Sequence, residues 1–257
     1  MTNFKIKPQW ISTRALHGIE RYAHCGISCI VFFAICSIFF IVWPQFDISV
    51  SSIFYDGFGY FPLNENWIVK TVYEGVPWFG RFIFLISLIV IFLAIVAPAH
   101  ISRRYWRRAA SMAVVVVLGI GLLVHAVLKD GMGRPRPKDV EIFAGSTSFV
   151  PVFTPSQFCA TNCSFVSGHA AVGFSLMSLG MLGVRRRRNF WFVMGGITGS
   201  LIGFVRVAQG GHFLSDVIFS FCSIWAIHLL IRYVWIRFRF WQLFQNKNLV
   251  SRFKAVH

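Results

Sequence analysis

Six long apolar runs dominate the chain, at residues 24–43, 79–97, 111–128, 168–184, 190–207 and 213–231, and short clusters of arginine and lysine punctuate them. An apolar run of about 20 residues, rising about 1.5 Å per residue, crosses a hydrocarbon layer about 30 Å thick, so each run reads as a transmembrane helix. The period-two alternation of barrel strands is absent, which leaves helices as the way to satisfy every backbone polar group in lipid. The pattern predicts an all-α, polytopic membrane protein with six transmembrane helices. No internal repeat or linker divides residues 1–257, so a single membrane-embedded domain is expected. The run from His24 to Trp43 is too long for a signal-peptide core and has no small-x-small cleavage site before Pro44. It is expected to be retained as a signal anchor.

Charge orients the bundle. Of 25 Lys and Arg residues, 18 lie in the N-terminal tail, the second and fourth loops (Arg103 to Arg108 and Arg185 to Arg188) and the C-terminal tail. The other side holds seven, together with eight of the nine acids, Glu20 being the exception. The positive-inside rule then predicts that both termini are cytoplasmic. Composition agrees: 56% of residues are hydrophobic and 13% charged, with a mean hydropathy of +0.64. A soluble domain carries about 25% charged residues. A net charge of +16 would suggest nucleic acid in a soluble protein, but clusters between apolar runs set topology and meet anionic lipid headgroups instead, so no nucleic-acid partner is expected.

With the inner charges set aside, the ionisable groups at the outer helix ends become informative, because such groups are costly near lipid. They fall in three places. The third run ends in Lys129-Asp-Gly-Met-Gly-Arg-Pro-Arg-Pro137, a stiffened rim of cations. The fourth opens with Ser167-Gly168-His169, where a helix N-terminus with a hydroxyl and an imidazole makes an anion site. The fifth and sixth are joined by Arg206-Val-Ala-Gln-Gly-Gly-His212-Phe-Leu-Ser-Asp216. His212 and Asp216 are four apart at a helix start, so the carboxylate can hold one imidazole nitrogen and leave the other for substrate. Cations and N–H dipoles gather in this way around a phosphoryl group.

Lys129-x6-Arg136-Pro137, Ser167-Gly168-His169 and Arg206-x5-His212-x3-Asp216 together resemble the three-part signature of the type-2 phosphatidic acid phosphatase superfamily. That family includes membrane lipid phosphate phosphatases, glucose-6-phosphatase and soluble vanadium haloperoxidases. The match covers residues 129–216 in motif, and the six-helix layout of bacterial membrane members extends it over most of the chain. Two positions depart from the family pattern, Val166 where it has Pro and Val205 where it has Ser. The first removes a rigid lead into the helix and the second a phosphate-contacting hydroxyl.

The resemblance implies a division of labour. His212, oriented by Asp216, is the nucleophile that forms a phosphohistidine. His169 protonates the leaving oxygen and then activates water. Lys129, Arg136, Arg206, the Ser167 hydroxyl and the Gly168 N–H hold the phosphate oxygens. It also implies that no metal or other cofactor takes part, and no His/Asp cluster in the sequence has metal-ligand spacing. The expected activity is dephosphorylation of a membrane lipid at the periplasmic face of a bacterial inner membrane. Lipid A, undecaprenyl diphosphate and phosphatidylglycerophosphate are the candidate substrates, with a lean toward lipid A from the long outward loop between the first two blocks. Phosphotransfer between lipids through the same site is the near alternative, and a non-enzymatic lipid transporter the distant one. Nothing in the sequence sets an oligomeric state.

Four smaller readings remain. Arg134 repeats the Arg-Pro dipeptide of Arg136 and reads as an auxiliary contact or a rim charge. Cys159 and Cys163 lie in the outward loop before Ser167, where an oxidising compartment permits a disulfide. His125 reads as a buried structural residue. The outward loop 44–78, with Asp47 and Trp67, reads as an interfacial segment without chemistry.

Overall fold

The computed structural model describes residues 13–254, with side chains described over 22–129 and 131–238. Five helices in it are long and apolar enough to cross a membrane: Tyr22–Val42, Trp67–Val96, Arg103–Lys129, Arg185–Ala208 and Leu214–Phe238. The first belongs to α1 (Thr13–Val42) and is followed by the short α2 (Gln45–Ser52). The second is α3 (Trp67–Val96), whose start is fixed by Asn66, the side chain of which accepts the N–H groups of Ile68 and Val69. The third, α4, is α-helical over Arg103–Val114 and then widens to i→i+5 bonding over Val115–Lys129. A single turn, α5 (Asp130–Met132), ends it. The fourth and fifth are α7 (Arg185–Ala208) and α8 (Leu214–Lys254). Among the described residues there are no strands, only an isolated bridge between Val140 and Thr147.

The run at 168–184 behaves differently. It forms α6 (Gly168–Ser175), continued as a 3₁₀ segment over Leu176–Gly180, and is not among the five long apolar helices. Its sides explain why. Ala170, Ala171, Phe174, Met177 and Met181 are all buried, against α4, α7 and α8. The long helices instead present Ile30, Trp78, Ile95 and Leu201 outward, as lipid-facing surfaces do. A helix enclosed by protein can be short and irregular, because its neighbours and not the lipid meet its backbone.

Glycines on one face of α7 set how closely this central helix is gripped. A Cβ on Gly199 would lie 2.2 Å from the Phe174 ring, and one on Gly195 2.7 Å from the Met177 side chain. On the same face a Cβ on Gly203 would meet Val217 of α8 at 2.2 Å. Small residues four apart let helix backbones approach where lipid offers no hydrophobic drive. Above the helix ends a second apolar cluster, Phe61, Val140, Phe143 and Phe213, packs the outward loops over the bundle.

Candidate active site

Three backbone hydrogen bonds fasten the motif-bearing segments together at one end of the bundle. Ser164 N–H donates to the Arg134 carbonyl at 2.8 Å, Ser167 N–H to the Asp216 carbonyl at 3.2 Å, and Lys138 N–H to the Gly210 carbonyl at 3.1 Å. The first block is thereby tied to the second and third, and the second to the third. Local sequence makes these approaches feasible. Gly210 has a φ of +63°, and a Cβ there would sit 2.5 Å from the Phe61 ring. At Gly211 a Cβ would strike the Arg206 guanidinium at 2.2 Å.

His212 is 1% exposed. Its Nδ1 lies 2.7 Å from the Ser164 carbonyl and 3.6 Å from Asp216 Oδ2. A carbonyl only accepts, so Nδ1 carries the proton and Nε2 keeps its lone pair. The spacing rule led to Asp216 as the orienting group; the direct hydrogen bond is to Ser164, with the carboxylate behind it. Burial, joined by the charges of Arg206 and Lys129, holds the His212 pKa down at about 3, although Asp216 pulls it up. The imidazole is therefore neutral at physiological pH.

Asp216 itself sits in a closed polar network. Its Oδ2 accepts from Phe213 N–H at 2.8 Å and from the Ser164 hydroxyl at 2.5 Å, and its Oδ1 pairs with Arg134 Nη1 at 2.6 Å. Arg134 is the correction to the sequence reading. Far from being a rim charge, it is 1% exposed and also donates to the Val150 carbonyl, to the Ser215 hydroxyl and to Asp47 at 2.9 Å. Asp47 is buried too, and accepts the Ser215 N–H at 2.9 Å. Its segment, α2, is part of the site's support, not a plain interfacial stretch.

Cations gather beside the imidazoles. Lys129 Nζ donates to the Asn162 side chain at 2.5 Å, and Arg136 Nη2 to the Asn162 carbonyl at 2.7 Å, so one residue answers two of the three cations. Asn162 lies inside the ring closed by a Cys159–Cys163 disulfide, whose Cα atoms are 5.6 Å apart. Arg206 is buried, bonds Gln209 and lies 4.5 Å above the Tyr73 ring. Its Nε–H is buried and without a hydrogen-bond partner among the described residues, a donor available to an anion. Ser167 caps α6, its hydroxyl oxygen taking the Ala170 N–H at 3.4 Å. Gly168 approaches His125, whose Nε2 would be 3.0 Å from a Cβ there. His125 is exposed, contrary to the buried reading.

His169 stacks on Tyr73, with ring centroids 5.1 Å apart and planes 14° apart, and its Nε2 lies 3.1 Å from the Tyr73 carbonyl. A cavity of about 370 Å³ opens beside these groups, lined by Tyr73, Arg136, Arg206, Gln209, Gly211 and Asn64 among others. Of the residues singled out in the sequence, Arg136 and Arg206 line it directly. Asp47, Asn64, Tyr73, Asn162, Ser164 and Gln209 were not singled out as site residues. The one signal for Asp47 was that the first motif block carries several cations and few carboxylates, since a buried arginine calls for a partner. Among the described residues no three His, Cys, Asp or Glu side chains are grouped to hold a metal.

The arrangement suits an oxyanion gripped by cations and flanked by two imidazoles. Family comparison gives the same class: the family model of the PAP2 superfamily matches residues 110–241. The chain belongs to that superfamily, and its activity is hydrolysis of a lipid phosphate. Among its relatives it is 34% identical to the lipid A 4'-phosphatase of Francisella tularensis subsp. novicida over 206 residues, 76% of this chain and 90% of that protein. It is 28% identical to a lipid A 4'-phosphatase of Rhizobium etli, over 72% of this chain and 77% of the relative. Phosphatidylglycerophosphatase B of Bacillus subtilis is 27% identical over 62% of this chain and 71% of its own length. No solved structure matches the sequence significantly.

Proposed function

We propose that this single-domain protein removes a phosphate from lipid A at the periplasmic face of a bacterial inner membrane, through a phosphohistidine on His212. His212 Nε2 attacks phosphorus in line with the breaking P–O bond, and protonated His169 gives its proton to the leaving oxygen. Lys129, Arg136, Arg206, the Ser167 hydroxyl and the Gly168 N–H hold the non-bridging oxygens as charge develops on them. Water, deprotonated by His169, then attacks phosphorus and returns the P–N electron pair to Nε2. The reading rests on one observation above all: a buried imidazole whose Nδ1 is tied to a carbonyl and whose free nitrogen sits within the field of Arg206 and Lys129.

Lipid A is favoured because two of the relatives compared above carry that substrate in their names. Six crossings with cytoplasmic termini follow if residues 168–184 traverse the membrane inside the bundle, and the charge ledger supports that orientation. The Cys159–Cys163 disulfide fits an oxidising compartment on the site's side. The test is to incubate purified protein with lipid A, undecaprenyl diphosphate and phosphatidylglycerophosphate, follow products by mass spectrometry, and measure inorganic phosphate with and without an acceptor lipid. The reading expects loss of phosphate from lipid A as the fastest reaction, with stoichiometric inorganic phosphate. Faster turnover of another lipid replaces the substrate, and phosphate appearing only on an acceptor replaces hydrolysis by transfer.

A further inference from the structure

Tyr73 belongs to α3, outside the residues that the family model matches, yet it touches two groups of the candidate site. Its ring lies parallel to His169 at 5.1 Å and carries the Arg206 guanidinium at 4.5 Å. Its main-chain oxygen stands 3.1 Å from His169 Nε2. Each contact restrains a different freedom. The stack fixes the plane of the imidazole, and the cation over the ring face fixes the guanidinium. The carbonyl accepts only, so Nε2 keeps its hydrogen and the nitrogen that gains and loses a proton is Nδ1.

We propose that Tyr73 is the positioning residue of the acid–base step, holding His169 so that its Nδ1 exchanges the proton with the leaving oxygen and then with water. The inference rests on His169 being the acid, as set out above. In the first step the P–O bond breaks, its electron pair stays on the leaving oxygen, and that oxygen takes the Nδ1 proton. In the second, Nδ1 takes a proton from the water whose oxygen bonds to phosphorus. Nε2–H remains on the Tyr73 carbonyl throughout. The contact pattern gives His169 what Ser164 gives His212, with the two ring nitrogens exchanged.

The experiment is a double-mutant cycle read on two substrates. A lipid phosphate ester has a poor leaving group that needs the proton, whereas p-nitrophenyl phosphate leaves without one. The variants are Tyr73→Phe, Tyr73→Leu, His169→Ala and Tyr73→Leu with His169→Ala. Tyr73→Phe keeps ring and carbonyl and is expected within about twofold of wild type on both substrates. Because general acid–base assistance is typically worth about 10²- to 10⁴-fold, Tyr73→Leu is expected to lower kcat/KM, which reports only the steps through departure of the leaving group, about 10- to 100-fold on the lipid, with a loss at least about fivefold smaller on the aryl ester. In the His169→Ala background the same substitution should cost at least about fivefold less than in wild type, what remains being the share carried by Arg206. Tyr73 is half exposed at the cavity wall; should the Leu variant not accumulate as folded protein, Tyr73→Met serves in the same cycle. Should the aryl ester not turn over, the lipid cycle alone decides. Equal losses on both substrates, or full additivity with His169→Ala, overturn the role of Tyr73. If His169→Ala itself slows both substrates equally, the assignment of His169 as the acid fails first, a separate result.

Discussion

The two imidazoles of the site are held by different parts of the chain. His212 is buried and takes its support from the outward loop through Ser164 and from α8 through Asp216, both inside the motif-bearing stretch. His169 is half-buried at the start of α6 and leans on Tyr73 of α3, a helix that carries none of the three motif blocks. His212 is thus held directly by residues of the motif-bearing stretch, and His169 by a helix from outside it. His212 presents a neutral, pre-aimed nitrogen, whereas His169 stacks on Tyr73, which itself lines the cavity.

The contrast can be broken most severely at His212. His212→Ala is expected to abolish phosphate release to below detection and to remove the acid-labile phosphoprotein that quenching with labelled substrate would trap. His169→Ala should leave a measurable rate, reduced by about 10²- to 10⁴-fold on a lipid ester, with the phosphoprotein still formed, slowly. Asp47→Asn probes the support behind His212. It takes a charge from the buried Arg134 network, so thermal unfolding in detergent should report a loss of about 1–3 kcal/mol, the cost of a weakened buried charge-assisted hydrogen bond.

Smaller effects sharpen the picture. Replacing both Cys159 and Cys163 by Ser frees the loop that carries Asn162, which holds Lys129 and Arg136. A rise in KM of about three- to tenfold with little change in kcat is expected, as for a loss of uniform binding. The smallest effect concerns pH. Folding holds the His212 pKa at about 3, below the ordinary value of about 6.5, so the unfolded chain binds the extra proton between those values. The stability this group contributes is present above about pH 6.5 and is lost as pH falls toward about 3. His212→Gln should therefore flatten the fall in unfolding temperature across that window relative to wild type.

Much of this was legible beforehand, for identifiable reasons. Long apolar runs and arginine clusters obey the dimensions and charge asymmetry of a bilayer, so the existence and order of five helices were readable, but not all their limits: α3 begins at Trp67, well before the run at 79–97, α4 at Arg103, before 111, and α8 continues past 231. Lys129, Arg136, Ser167, Gly168, His169, Arg206, His212 and Asp216 stand at fixed spacings and could be named as candidates. The limits of α6 could not, because hydropathy does not separate a helix facing lipid from one whose Phe174 and Met177 are enclosed by neighbouring helices. Asp47, Tyr73 and Asn162 were hidden for another reason. Their roles depend on meeting Arg134, His169 and Lys129 across long stretches of sequence, and no local pattern encodes such meetings. Val166 is fully buried, and the Ser167 N–H that follows it is fastened to Asp216, so packing replaces the stiffness a proline would supply.

The glycine face of α7 has a consequence for how the molecule tolerates mutation. Gly199 admits no methyl group against Phe174, five positions beyond Ser-Gly-His, and Gly203 admits none against Val217, the residue after Asp216. A methyl group added along α7 would therefore pry at the two helices that carry His169 and Asp216, and a lesion that touches no polar side chain would register as lost activity.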